Sequence, residues 1–266
     1  MNIVVFASDS VGFGTIEYLL STGDAIAGVV LDSKDKGQRN SELVGCLTSR
    51  SPDTLILYSD TVYAEESLKH LRRLEPDLFI LAWWPYIIKR ELIEIPKIGV
   101  LNFHPSYLPY NRGRNYNFWT LVEDTPFGVS IHWVDEGIDS GAVAYQANIA
   151  KTWLDTGETL YSKASAEMLQ LFKRSWPRMR SGDIPRVQQD LSLGSSHRGK
   201  ELEEASRIDL DKMYSGRELL NVIRARTFPP HPGAWFLDEG KKYEVRITIS
   251  EAMDATAPLE LTTEPR

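Results

Sequence analysis

Short apolar runs alternate with longer helical patterns through the first two thirds of the chain. The runs "NIVVFA" (2–7), "AIAGVVLD" (25–32), "TLILYS" (54–59) and "DLFILAW" (77–83) have the length and branched content of buried strands. Between them, "GTIEYLLSTG" (14–23) and "YAEESLKHLRRLE" (63–75) show helical spacing, and 41–50 is a polar stretch. Such alternation predicts βα units and a parallel sheet. Three further strand-like runs follow, "GVLNFH" (99–104), "FGVSIHWV" (127–134) and "AVAYQANIA" (142–150). Then "ETLYSKASAEMLQLFKRSW" (158–176) sets Leu160, Ala164, Met168, Leu171 and Phe172 on one helical stripe, which predicts a helix closing the domain.

Beyond Met179 the pattern fades. Residues 179–206 are polar and glycine-bearing and read as a linker with little regular structure. A helix at "GRELLNVIRAR" (216–226) and strands at "GAWFLD" (233–238) and "KKYEVRITIS" (241–250), joined by Glu239 and Gly240, predict a small C-terminal module. The expected fold class is α/β: a Rossmann-like, mostly parallel sheet flanked by helices over 1–178, then the linker, then an α+β module over 207–250. The weakly patterned stretch 251–266 reads as a poorly ordered tail.

Composition narrows the classes. With 266 residues, 42% of them hydrophobic, the chain can bury a large core. A net charge of −7 gives it no electrostatic case for gripping nucleic acid, although a small anion in a local pocket remains open. The single cysteine, Cys46, leaves no partner for an internal disulfide and no multi-cysteine metal site. No apolar run reaches the roughly 18 to 20 residues of a membrane span, and the start lacks the features of a secretory signal. The expectation is a cytoplasmic protein without membrane contact.

Candidate chemistry lies where strands end, because open parallel sheets bind ligands at their carboxyl edge. Asn102 and His104 stand two apart at the end of one strand, so their side chains share a face and can converge on one atom. Pro105, with no N–H to give, then starts a loop. Asp139 follows in the turn-like "DEGIDSGA" (135–142). Each of the three also suits a plain turn or cap, and spacing leaves both readings open.

The flanking residues are more specific. "NFHPSYLPYNRGR" (102–114) and "FGVSIHWVDEGIDSGA" (127–142) resemble the formyltransferase family that draws its one-carbon unit from 10-formyltetrahydrofolate. The pattern carried is Asn102, His104, Ser106, Leu108, Pro109, Arg112 and Gly113, then Gly128, Val129, Ser130 and His132, then Asp139 and Gly141. The resemblance covers most of 1–176 and implies that Asn102, His104 and Asp139 are the catalytic trio. The residue types suit the reaction. Formyl transfer to an amine passes through a tetrahedral intermediate whose oxygen turns negative and needs donors, and an imidazole can exchange protons with the incoming amine. Asp139 is expected to favour the imidazolium. No metal is needed for such a step.

The same resemblance implies that Trp84, Tyr86 and Ile88, in "LAWWPYIIK" (81–89), line a folate pocket together with Asp139; plain core packing is the other reading of these aromatics. Ser8, Gly12 and Gly14 stand in the first βα loop, where free amides would suit a diphosphate, although structural glycines in a tight turn are the stronger reading. Arg112, Arg114, Arg198 and Arg224 are candidate anion contacts, with Arg226 beside them. His132 reads as a structural hydrogen-bond partner, His70 as part of a charged helix face and His231 as a packing residue. The acceptor expected is a nucleotide-linked (UDP or dTDP) amino-deoxy sugar, of the 4-amino-4,6-dideoxy kind, made for surface polysaccharide such as lipopolysaccharide O-antigen. The alternatives are methionyl-tRNA and, in another class, a non-catalytic nucleotide-binding α/β domain. From Leu191 to Arg266 there are 11 Lys and Arg against 13 Asp and Glu, a net of −2 that disfavours tRNA. A homodimer through the C-terminal region is implied by the resemblance to sugar-directed members.

Overall fold

Five parallel strands, β1 (Ile3–Ala7), β2 (Ile26–Leu31), β3 (Leu55–Tyr58), β4 (Leu78–Ala82) and β5 (Gly99–His104), form the heart of the computed structural model, which describes residues 1–33 and 39–252. A two-residue strand, β6 (Arg112–Gly113), leaves the sheet; β7 (Gly128–Trp133) and β8 (Val143–Asn148) then return to it antiparallel. The seven-stranded order is β3-β2-β1-β4-β5-β7-β8. The seven strand-like runs of the sequence all pair here, and the last two explain why the sheet is only mostly parallel.

Side-chain alternation along β1 divides the core into two faces. Ile3, Val5 and Ala7 pack on one face with α1 (Asp9–Ser21), α2 (Asn40–Arg50), α5 (Tyr116–Val122) and α6 (Gly157–Arg180). Val4 and Phe6 pack on the other with α3 (Glu65–Arg73) and the one-turn α4 (Arg90–Ile93). β1 and β4 are buried at every position, as strands covered on both faces must be. The polar stretch 41–50 is the helix α2, which buries only Leu43 and Leu47 and wets the rest. α6 buries the predicted stripe from Leu160 to Phe172, starts in a capping box between Thr156 and Thr159, and tolerates Pro177 in its last turns. Proline has no N–H for the carbonyl of Lys173, which accepts the Tyr18 hydroxyl at 3.2 Å instead.

Segment 179–206 departs from the linker expected of it. It carries a 3₁₀ turn at Leu191–Leu193, a strand β9 (Ser196–His197) parallel to β6, and a short helix α7 (Glu201–Ala205). Its polar residues make contacts to distant parts of the chain, which no local pattern announces. The C-terminal module follows the reading more closely. α8 (Gly216–Ala225) starts in a capping box of Ser215 and Glu218. The hairpin of β10 (Ala234–Asp238) and β11 (Lys241–Val245) turns at Glu239 and Gly240, both at positive φ, 46° and 76°. β11 ends five residues short of the predicted run. The tail expectation falls, from 253 onward, outside the described residues. Among the described residues no helix is long and apolar enough to cross a membrane.

Candidate functional site

β5 ends at the carboxyl edge with Asn102 and His104 on the same face as Val4, Phe6, Phe79, Leu81 and Val100. The antiparallel neighbour β7 sets His132 directly opposite Asn102 and Ser130 opposite His104. Asp139 reaches in from the loop between β7 and β8. His104 Nδ1 lies 3.4 Å from Asp139 Oδ2, His132 Nε2 lies 3.4 Å from Oδ1, and Asn102 Nδ2 donates to Oδ1 at 3.4 Å and faces His132 Nε2 at 3.1 Å. The Gly113 N–H donates to Asp139 Oδ2 at 2.9 Å. Thus the three residues singled out by sequence are brought together, and His132 joins them.

The sequence reads His132 as a structural hydrogen-bond partner, and the structure sets it beside the trio as well. Its Nδ1 does satisfy a structural bond, to the Trp133 carbonyl at 2.8 Å, which leaves Nε2 turned toward the trio. The antiparallel register of β5 and β7 was the signal that would have found it.

Burial decides the charges. His104 is 5% exposed, and its pKa is lowered from the ordinary 6.5 by desolvation, with His132 adding to the effect and Asp139 and the Asn111 main chain opposing it. Asp139 favours the imidazolium as expected, but the cost of a buried charge outweighs that one neighbour's attraction. His104 Nε2 is buried without a hydrogen-bond partner, so the ring offers a free nitrogen. Burial pushes the Asp139 carboxyl up, but the two imidazoles and the Gly113 N–H outweigh it and hold the group well below the usual carboxylate range. The site pairs an ionised carboxylate with an uncharged base.

Donor atoms of His104, His132 and Asp139 lie within 4.8 Å of one another, close enough to share a cation. Asp139 Oδ2 already accepts from Gly113, and Oδ1 and His132 Nε2 face the Asn102 amide. A proton-handling network describes them better than a metal cage.

The strip after β4 continues the face of Asn102. Trp84 packs edge-on against Phe6 and Tyr86, with ring centroids 5.5 and 5.4 Å apart. The Tyr86 hydroxyl donates to Asp32 Oδ1 at 2.8 Å, and Ile88 is buried. Phe6, Val62, Tyr63, Trp84, Tyr86 and Ile88 line a shallow, mostly apolar hollow. Arg114 donates to the Pro85 carbonyl at 2.9 Å and so ties the loop after β5 to this strip.

The other candidates separate. The pairing of β6 with β9, extended by the Arg114 N–H to the His197 carbonyl, brings the main chains of Arg112, Arg114 and Arg198 near one another, and Arg112 Nε is buried without a partner. Arg224 stands elsewhere: its guanidinium donates to Asn221 Oδ1 at 2.9 Å and to the carbonyls of Thr152 and Asp155 at 2.7 and 3.2 Å, clamping α8 to the loop before α6. With its donors spent on the protein's own oxygens it is a structural clamp rather than a ligand contact. Arg226 is likewise buried.

The first βα loop also differs from the expectation. α1 starts at Asp9, so Gly12 and Gly14 lie inside the helix, and the Gly12 N–H donates to the Ser8 carbonyl at 2.9 Å. A Cβ on Gly12 would meet the Ala7 backbone at 2.9 Å, so this glycine serves close helix-to-strand packing. The Ser8 N–H is taken by the Ala82 carbonyl and the Ser10 N–H by the Asp9 carboxylate. The Ser8, Ser10 and Gly12 amides are thus already occupied within the protein. Asp9 Oδ2 instead accepts the Tyr161 hydroxyl at 2.6 Å, which in turn accepts the Trp83 indole N–H at 3.1 Å. Burial and the Asp9 carboxylate push that hydroxyl up to about 12.

The profile of a family described as Formyl transferase matches residues 1–174, and that of an N-formyltransferase dimerization C-terminal domain matches residues 201–251. A methionyl-tRNA formyltransferase of Methylacidiphilum infernorum is 28% identical over 240 residues, 88% of this chain and 73% of that protein. Among solved structures, a sugar N-formyltransferase from Shewanella sp. FDAARGOS_354 superposes with a TM-score of 0.77 at 17% identity, covering 95% of this chain and 99% of that one. A 4-N formyltransferase from Francisella tularensis gives 0.77 at 21% identity, over 94% and 98%.

Proposed function

The chain belongs to the formyl transferase family, and we propose that it moves the formyl group of 10-formyltetrahydrofolate to the amino group of a nucleotide-linked amino-deoxy sugar, a UDP- or dTDP-linked 4-amino-4,6-dideoxy hexose. The observation that carries the reading is the buried, partner-free Nε2 of His104, whose Nδ1 faces Asp139 Oδ2 at 3.4 Å at the carboxyl edge of the sheet. Nε2 takes the proton of the attacking amine as its nitrogen bonds the formyl carbon. The Asn102 amide gives up its longer contact to Asp139 and donates to the oxygen that turns negative. Asp139 stabilises the imidazolium so formed, and the proton passes to the folate nitrogen as the old carbon–nitrogen bond breaks.

The hollow at Trp84 and Tyr86 suits a flat ring, and it shares its face of the sheet with Asn102 and His104. It is the proposed folate pocket, with Ile88 contributing through its main chain. The cluster of Arg112, Arg114 and Arg198 is the proposed diphosphate contact. Support for a sugar over tRNA comes from two sides: two sugar-directed N-formyltransferases superpose with TM-scores of 0.77 against 0.61 for a methionyl-tRNA formyltransferase, and the C-terminal region carries a net charge of −2. The dimerization profile supports a homodimer through the module. The methionyl-tRNA relative keeps one other reading in play.

An assay decides between them. The enzyme is given 10-formyltetrahydrofolate with a panel of UDP- and dTDP-linked 3-amino and 4-amino sugars, and separately with bulk methionyl-tRNA, following folate absorbance and product mass. The expected result is one formyl gained by a 4-amino sugar. Formylation of methionyl-tRNA alone overturns the acceptor assignment, and no transfer together with no folate binding overturns the reaction.

A further inference from the structure

Asp139 holds its site position in a left-handed backbone conformation, φ 50°, which a non-glycine residue keeps only when its surroundings impose it. Its own loop supplies little of that. Asp135 Oδ1 accepts the Gly137 N–H and the Ser140 hydroxyl, and neither bond touches Asp139. The restraint comes from 50 residues downstream. Gln189 Nε2 donates to the Asp139 carbonyl at 2.9 Å and to the Gly141 carbonyl at 2.6 Å, spanning Ser140 from both sides. Gln189 Oε1 is buried without a partner. Turned over, the amide would put oxygen against two carbonyls, so its orientation is set by what it donates.

Gln189 is itself held by a strap, residues 187–198, anchored at both ends. Val187 exchanges two main-chain hydrogen bonds with Val143 on the edge of β8, at 2.8 and 2.9 Å. At the far end, the carbonyls of Ser195 and His197 accept the N–H groups of Arg112 and Arg114, at 3.1 and 3.0 Å. The His197 ring stacks on Trp119 with centroids 3.6 Å apart, and its nitrogens lie 2.8 Å from Glu123 Oε1 and 3.2 Å from Glu201 Oε2. Between Arg112 and Arg114 lies Gly113, whose N–H holds the Asp139 carboxylate. At φ 86°, and with a Cβ there destined to meet the His197 carbonyl, Gly113 accepts no side chain. The strap thus reaches Asp139 twice, at the main chain through Gln189 and at the carboxylate through β6.

We propose that Gln189 is a positioning residue for formyl transfer: from the strap it fixes the backbone of Asp139 so that the carboxylate faces His104. The proposal rests on the role given above to Asp139, and its test is chosen to be readable without any acceptor. The imidazole of His104, faced by Asp139, by His132 and by the Asn111 main chain, is titrated by NMR in the wild-type protein, in Gln189→Met, which keeps length and bulk but donates nothing, and in Leu193→Ser, a change at an exposed position of the strap.

Asp139 is the charge that favours the protonated ring, so its drift away moves the His104 midpoint to lower pH in Gln189→Met. In turnover, kcat falls roughly 10- to 100-fold, as expected of a slightly misplaced catalytic group, while KM for the folate holds within about two-fold. Leu193→Ser matches the wild type in both. A folded Gln189→Met with an unchanged or raised midpoint and unchanged kcat overturns the proposal. Should Gln189→Met fail to fold, Gln189→Asn, which withdraws the donor by one methylene, is read by the same midpoint with the same two outcomes. If no acceptor is found, the midpoint still decides the role of Gln189.

Discussion

His104 shows how a single residue's chemistry depends on more than its neighbours in sequence. Asp139 beside it argues for a charged ring, burial argues against, and burial prevails because desolvating a charge costs more than one partner returns. The acid limb of kcat/KM, which follows loss of the uncharged base, is therefore expected below pH 6.5, with activity kept as pH rises through that value. Asp139→Asn removes the charge that favours the protonated ring, so a pH profile of that variant should show the limb displaced to still lower pH. Asn102→Ala is expected to lower kcat by about 100- to 1000-fold, the usual loss of one oxyanion donor, with the folded state intact by thermal melting.

At the scale of elements, β5 and β7 form the site and the strap completes it. The trio was legible because two of its members lie on one strand with the period of a strand, and because the motif around Asp139 is local. His132 was half legible: its strand was plain, but its opposition to Asn102 is a matter of register between strands. Gln189 was not legible, since it sits in a polar segment whose partners are 48 and 50 residues away. In the first βα loop a glycine pair suggests a phosphate cradle, and the structure sets both glycines inside α1, where Gly12 serves close packing on Ala7. Gly12→Ala tests that assignment: pressing a methyl onto Ala7 should cost about 1–3 kcal/mol of stability by denaturant unfolding, while KM for the acceptor stays unchanged.

For the whole molecule, the proposed acceptor and the proposed homodimer are tested through charge and through the C-terminal module. With a net −7, KM for a nucleotide sugar should rise by about 10-fold or less between 50 and 200 mM salt, far below the 10³- to 10⁵-fold loss of a protein gripping six to ten phosphates. Met213 and Leu237 stand 91% and 47% exposed on the module matched by the dimerization profile. Met213→Glu with Leu237→Glu is expected to turn a dimer into a monomer in sedimentation velocity. Chain periodicity by itself determined the strands, the long closing helix and the module, because burial on one or two faces imposes periods of two and 3.6 on any sequence that folds this way. The resemblance of 102–114 and 127–142 to the family pattern, rather than periodicity, pointed to the end of β5 as the candidate site. Only the tertiary structure decided the charge on His104, the recruitment of His132 and Gln189, and the clamp made by Arg224. Each of these follows from groups distant in sequence being desolvated together, and desolvation is a property of the packed molecule.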